Sequence, residues 1–383
     1  MLFNSPLTGI TVTHFDSNEF LGNYWQQKPC VLRQFFPQFE DFIDEHELAG
    51  LAMEAELDSR IVRFHKQSWQ VIQGPFDDFD QCKGLWSLLI QGVDRVVPDA
   101  AEMMEHFNFV PYWRMDDLMI SFAIPGAGVG PHVDQYDVFL VQGKGRRRWR
   151  VGPPDCTTEH ITAPGLRQVD DFTPIIDCEL LPGDVLYIPP GWPHDGKAIE
   201  PSLTYSVGFR APEQAQLTGF LAEHFADQAS VPLRFSDPKR KNGNTPVWVT
   251  SEDSHNLKQL IIQATETQDF LLSLLTLLSE QSLEPESPEA TVTDSQTLSD
   301  FEQGLMLSRL TGLRPIMHPE AADWLFVNGE KVPHSCSDNA FLAQLLAKNV
   351  IGLADFNSHP GKLDIISAFT TLTNMGYYQF ICE

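Results

Sequence analysis

The chain of 383 residues, 42% of them hydrophobic, is long enough for two or three domains, since one core rarely grows beyond roughly 250–300 residues. Its 26 basic and 52 acidic residues give a net charge of −26, which repels phosphate backbones and steers basic partners toward the surface, although an acidic proteome gives the same balance and charge alone names no partner. The longest strongly apolar stretch, Phe270 to Leu278, is interrupted by Ser273 and Thr276 and falls short of the roughly 20 residues that cross a bilayer, so no membrane segment is expected.

At the N-terminus, Met1 to Pro6 lacks the basic and long apolar regions of a signal peptide, so export is not expected and the cytoplasm is the default. The cysteines, Cys30, Cys82, Cys156, Cys178, Cys336 and Cys382, form no Cys-x-x-Cys pair, which argues against a disulfide framework and a thiolate zinc site. Asp16 with Glu19 three positions later has the spacing of a capping box opening a helix through Tyr24 and Trp25. Residues 1–212 form one mixed unit in which the early helices pack outside a barrel. From Leu118 onward short β-type runs alternate with Gly and Pro: Met119–Ile124, Tyr136–Gln142, Arg147–Val151, Glu179–Leu181, Val185–Ile188 and Leu203–Phe209. Such a series predicts a barrel or sandwich.

The chemistry is concentrated in that barrel. His132-Val133-Asp134 follows the turn Pro125 to Pro131, rich in glycine, and precedes a strand. Positions i and i+2 on extended backbone face the same way, so both side chains look into one interior. His-x-Asp is a weak motif alone: His14-Phe15-Asp16 matches it, and His318-Pro319-Glu320 matches its carboxylate variant. A third group, His194, follows the strand Val185–Ile188 and the rigid exit Pro189-Pro190. Two imidazoles and one carboxylate can hold one face of a six-coordinate Fe(II), leaving positions open for O2 and an organic co-substrate. The alternative is a pair of satisfied core histidines. In Arg146 to Val151, strand alternation sets Arg147 in phase with Trp149 and Val151, while Arg146, Arg148 and Arg150 share the solvent side. A buried guanidinium needs a carboxylate, from a barrel residue or from 2-oxoglutarate. Ser121 is a candidate second donor to that carboxylate. Tyr136, Asp137, Asp116 and Asp117 are candidates to meet a cationic substrate side chain at an acidic entrance.

After Pro212 the period becomes helical. Leu217, Phe220, Leu221 and Phe225 form one stripe, and a longer segment from about Asp253 to Gln281 forms another. Residues 213–281 are read as a helical segment that packs within the chain or forms a dimer contact. Residues 282–300, polar, acidic and containing Pro, read as a linker. Residues 301–383 carry a hairpin at Asn328-Gly329, helices around Asn339–Lys348 and Leu363–Met375, and a last strand Tyr377–Cys382. This order resembles a winged helix. Acidic residues outnumber basic ones there, so groove binding is not expected.

The segments Asp117 to Phe122, Asp134 to Phe139, Gly145 to Gly152, Pro182 to Gly191 and Tyr205 to Pro212 resemble the JmjC family of Fe(II)- and 2-oxoglutarate-dependent oxygenases, in particular its bacterial ribosomal branch. The resemblance implies an α+β fold: a cupin-type double-stranded β-helix barrel, flanking helices, a helical dimerisation segment and a winged-helix-like C-terminal domain. It implies that His132, Asp134 and His194 hold iron and that Arg147 holds the 2-oxoglutarate tail. It further implies O2-dependent hydroxylation at C3 of an arginine in the large-subunit ribosomal protein numbered sixteen, by a homodimer. The alternatives are a JmjC oxygenase acting on a histidine or lysine of another protein, a cupin enzyme needing no oxo-acid, and a non-catalytic dimeric module that binds ribosomal protein.

Overall fold

The computed structural model describes residues 11–227, 233–238, 247–285 and 288–382. The expectation for Met1 to Pro6 lies outside the described residues. The chain divides into two compact units, Met1–Ala211 and Pro212–Glu383.

Among the described residues the first unit is built on fourteen strands. β1 (Thr11–Val12), β2 (Cys30–Leu32), β3 (Ser59–His65), β4 (Ser68–Gln73) and β5 (Leu85–Ile90) precede β6 (Met115–Ala123) and β7 (Asp137–Gln142). They are followed by β8 (Arg147–Val151), β9 (Glu159–Ala163), β10 (Leu166–Val169), β11 (Ile176–Leu180), β12 (Val185–Ile188), β13 (His194–Ala198) and β14 (Ser202–Phe209). Nine of them form one sheet in the order β1-β2-β12-β7-β14-β6-β5-β3-β4, and β11-β8-β13 form a second. The two sheets line a common cavity, the layout of a double-stranded β-helix. Besides the early helices, β1 to β5 precede the barrel strands and extend its large sheet. Helices α1 (Ser17–Asn23), α2 (Glu45–Leu51) and α3 (Pro98–Glu105) accompany them.

Strand chemistry explains the arrangement. Val185, Leu186, Tyr187 and Ile188 are all buried because β12 lies inside the sheet between β2 and β7. Strands covered on both faces read as continuous apolar runs, and each such side chain contributes about 1.5–3 kcal/mol on burial. Gly183, at φ +86, makes the turn into β12; a Cβ there would lie 2.2 Å from the Phe36 carbonyl oxygen. Asp184, 1% exposed, accepts from the Gln34 and Leu181 N–H groups and fixes that turn.

The second unit carries α4 (Gln214–Asp227), α5 (Ser251–Thr265), α6 (Gln268–Leu278), α7 (Asp294–Glu302), α8 (Asn339–Leu346) and α9 (Lys362–Asn374). Its strands are β15 (Met306–Arg309), β16 (Trp324–Val327), β17 (Glu330–Pro333), β18 (Val350–Ile351) and β19 (Tyr378–Ile381). The sheet β18-β15-β19 and the hairpin β16-β17 sit with α7 to α9 in a winged-helix-like arrangement. The helical segment expected over about 253–281 consists of two helices, α5 and α6, the second opened by the Thr267 side chain, which accepts from Phe270 N.

Two expected boundaries inside this unit do not hold as separations. Leu275 of α6 joins Phe326 and Ala321 in one apolar cluster, so the helical segment and the C-terminal fold share a core. The stretch 282–300, expected to be a linker, contributes Leu283 and most of α7; Thr297 is fully buried and its hydroxyl accepts from Thr370. Its few apolar residues suffice because the neighbouring fold supplies the rest of the core.

Candidate metal and oxo-acid site

Between β6 and β7 the chain turns at Gly130, whose φ is +81 and whose missing Cβ leaves room for the Gln168 amide. The next residues lead to His132, which pairs with His194 as an antiparallel bridge. His132 N donates to His194 O at 3.0 Å and His194 N donates to His132 O at 2.9 Å. Gly191 N, in the loop entering β13, donates to Asp134 O at 2.8 Å. Backbone bonds alone therefore draw the three residues to one point.

The side chains converge there. One ligand atom from each of His132, Asp134 and His194 lies within 4.8 Å of the others. Asp134 Oδ2 is 3.4 Å from His194 Nε2 and 3.8 Å from His132 Nε2. His132 Nδ1 lies 2.9 Å from Gly130 O, and His194 Nδ1 lies 3.0 Å from Trp192 O. A carbonyl can only accept, so both Nδ1 atoms carry hydrogen, which leaves Nε2, on the Asp134 side, as the atom each neutral imidazole can offer a metal. Burial and the neighbouring His194 push His132 below its ordinary pKa. Burial opposes the charge of His194, but Asp134 outweighs it and raises that group. Burial would also raise Asp134, yet the two imidazoles and the Tyr136 hydroxyl hold it at about 2. The donor set fits Fe(II). Neither competing motif does this: His14 is exposed, and the His318 ring accepts from Glu320 N as a helix cap.

The triad opens into a cavity of about 610 Å³ that also carries Ser121, Leu140, Arg147 and Trp149. Along β8 the side chains alternate as expected from pleat geometry: Arg147 is 5% exposed, while Arg148 faces out. Arg147 Nη1 donates to Ser121 Oγ at 3.4 Å, and its Nε and Nη2 are buried with no hydrogen-bond partner among the described residues. Burial lowers this guanidinium to about 10. A buried cation with two idle donors is a receptor for a carboxylate. On the opposite face Arg146 meets Glu200 at 2.8 Å, Arg148 meets Asp177 at 2.7 Å and Arg150 meets Asp171 at 2.9 Å. Those three arginines form an ion-pair ladder rather than a merely solvated face.

The acidic candidates separate. Asp137 is fully buried and accepts from Tyr187, Gln26 and Arg114; it braces the fold and does not meet substrate. Asp116 pairs with Arg210 at 3.2 Å. Asp117 shares the cavity face of β6 with Met119 and Ser121, accepts from Gly92 N at 2.9 Å, and is pushed up to about 6 by burial and by Asp94 and Asp116. Tyr136 and Ser206 also line the cavity. The charged lining residues are Arg60, Arg147, Arg167 and Asp134, so the entrance is not the acidic one expected.

Several polar groups were missed by sequence reasoning. Thr204 faces Ser121 across the β14-β6 pair, and its hydroxyl, like that of Ser87, is buried without a partner. The signal was present as Ser202, Thr204 and Ser206 at alternate positions of an otherwise apolar strand, which is the pattern of one polar face.

Residues 102–217 match the JmjC domain. The chain is 40% identical over 368 residues to the ribosomal protein uL16 3-hydroxylase of Escherichia coli (strain K12), covering 94% of this chain and 97% of that protein. It is 30% identical over 336 residues to a probable ribosomal oxygenase of Haemophilus influenzae, covering 83% and 82%. The structure of YcfD, a ribosomal oxygenase from Escherichia coli in complex with cobalt and 2-oxoglutarate, superposes with a TM-score of 0.84 at 37% identity, covering 96% of this chain and 99% of that one.

An uncompensated buried guanidinium costs stability, so Arg147→Met, which keeps the volume and removes the charge, is expected to leave the ligand-free protein at least as stable, by up to about 1–3 kcal/mol. Urea unfolding measures this; a lowered midpoint would show that the fold already compensates the charge.

Proposed function

Because this chain belongs to the JmjC-domain ribosomal oxygenases and is an Fe(II)- and 2-oxoglutarate-dependent enzyme that uses O2, we propose that it hydroxylates C3 of an arginine in ribosomal protein uL16, the large-subunit protein numbered sixteen. The observation that carries the chemistry is Arg147, a buried guanidinium with idle donors in the same cavity as the triad. The near-full-length likeness to the uL16 3-hydroxylase supports the target.

In this reading His132, Asp134 and His194 hold the metal. Bound iron activates O2, with 2-oxoglutarate as the co-reductant that becomes succinate and carbon dioxide. Arg147 pairs with the distal carboxylate of the oxo-acid, and Ser121 supplies a hydroxyl beside it. Val138, Leu140 and Trp149 keep water from the oxo-acid. Nearer the mouth, Asp117 meets the substrate guanidinium, with Tyr136, Met119 and Ser206 about its stem. A carboxylate that is neutral below about pH 6 attracts a cation only above it.

The partner assignments follow from the same molecule. Helix α5 has no buried residue and exposes Leu257, Ile261 and Ile262, which supports a homodimer through the helical segment; sedimentation velocity showing a monomer at micromolar concentration would overturn it. Free thiols at all six cysteines and a ribosomal target support a cytoplasmic location, and fractionation tests it. Among the described residues no helix is long and apolar enough to cross a membrane. We assign no DNA-binding role to the winged-helix-like fold, on its excess of acidic residues.

Incubating uL16 with enzyme, Fe(II), 2-oxoglutarate and O2 is expected to add one oxygen atom to one arginine peptide by mass spectrometry. His132→Ala and Asp134→Ala are expected to abolish the addition. No added oxygen on any uL16 peptide would discard the target, and oxygen on a histidine or lysine would reassign it.

The pH dependence is a separate expectation. Since the raised Asp117 must ionise to bind the cation, kcat/KM for a uL16 peptide should rise with pH through about 6. Asp117→Asn should lower it by roughly ten- to a hundredfold and flatten that rise; a profile unchanged in Asp117→Asn removes Asp117 from substrate binding.

A further inference from the structure

The hairpin of β9 and β10 is a two-stranded sheet of its own, yet it belongs to the cavity wall: Ile161, Gly165, Leu166 and Arg167 all line the space that holds the triad. Its inner side is fixed. Ala163 and Leu166 are buried with Val62 and Leu89. Gln168, 3% exposed, donates through Nε2 to Val129 O at 2.6 Å, and Val169 N donates to Pro131 O at 2.9 Å. Both acceptors belong to the turn that delivers His132. The hairpin is therefore held at a set position relative to the triad by its own hydrogen bonds.

Its outer side is open. Ile161 is 72% exposed, and Arg167 stands directly opposite it in the β10-β9 register. The Arg167 charge is met by Glu159 at 3.8 Å, so the apolar surface at this point of the rim is that of Ile161. A single exposed isoleucine on a protein surface is ordinary. One that lines the cavity holding the triad, on a strand whose hairpin partner β10 is anchored to the backbone beside a metal ligand, has a position that the fold does not require for its core.

We propose that Ile161 is a docking lip for the protein substrate, which packs an aliphatic side chain close in sequence to the hydroxylated residue against it, and that this contact sets which residue of the substrate enters the cavity. The inference rests on the protein-hydroxylase reading above. Continuity with the cavity argues for the substrate segment as occupant: a chain whose target side chain points at the triad has its neighbouring residues at the rim, of which Ile161 is an exposed apolar part. The charged lining is three arginines and Asp134, so recognition of a basic protein at this rim depends on apolar contact and shape.

The test is a KM split with a double-mutant cycle on the full-length enzyme and a uL16 peptide. Ile161→Ser is expected to raise the peptide KM about tenfold, as loss of most of one aliphatic contact does, with the KM for 2-oxoglutarate within about twofold; Ile161→Val should recover most of the loss. Replacing the aliphatic residues of the peptide one at a time by Ser should reveal one position at which the Ile161→Ser penalty disappears. An unchanged peptide KM, or a penalty independent of every peptide position, overturns the inference alone. Wild-type enzyme that adds no oxygen to the peptide overturns the substrate reading and this inference together. A KM for 2-oxoglutarate that rises in parallel would place Ile161 in the oxo-acid site and overturn the docking role.

Discussion

The two reciprocal hydrogen bonds between the backbones of His132 and His194 are the constraint on which the site depends. Residues opposed in an antiparallel bridge have their Cα atoms about 5 Å apart and project side chains to the same face. Two imidazoles distant in sequence thus become neighbours before any side-chain interaction is counted. The Gly191 N–H on the Asp134 carbonyl adds the carboxylate by the same means. With both Nδ1 atoms held by carbonyls, the ligand set is oriented by the backbone, and the sheets need only keep that backbone in register.

Strand β8 carries the other half of the site and shows how one element meets two electrostatic demands. Its outer arginines each pair with a carboxylate, mostly from flanking strands or loops, where solvent lowers the cost of charge and each pair is worth little. Its inner arginine has no carboxylate and keeps two donors idle. The buried hydroxyls of Ser87 and Thr204 have no partner in the fold either. Such groups are costly when left alone, and a bound carboxylate would offset that cost. Stability is given up at the place where affinity is needed.

The net charge of −26 does not extend into this cavity, whose charged lining is three arginines and one aspartate. Arg147 sits buried at the cavity wall, where a charge acts with less screening than on the surface, so the surrounding acidity weighs less there than at the exterior. The long-range field of the chain suits a basic protein partner.

Much of the site was legible in the chain itself, and the limits have one cause. His132-x-Asp134 on extended backbone after a glycine turn, and Arg147 in phase with Trp149, follow from a period of two residues, which is local and survives in any register. The Asn328-Gly329 hairpin is equally local, with Asn328 at φ +48 and Gly329 at φ +79. Roles that depend on distant partners were not legible. Asp117 and Asp137 are the same residue type near the same motif, but Gly92 holds one at the cavity side while Gln26, Arg114 and Tyr187 bury the other. The stretch 282–300 looks too polar to fold, yet Leu283 and Thr297 are buried by residues many positions away. The sequence by itself determined which residues could act and which way their strands would turn them. Only the tertiary structure decided which of them meet, because strand register and burial are set by contacts between segments that local periodicity does not connect.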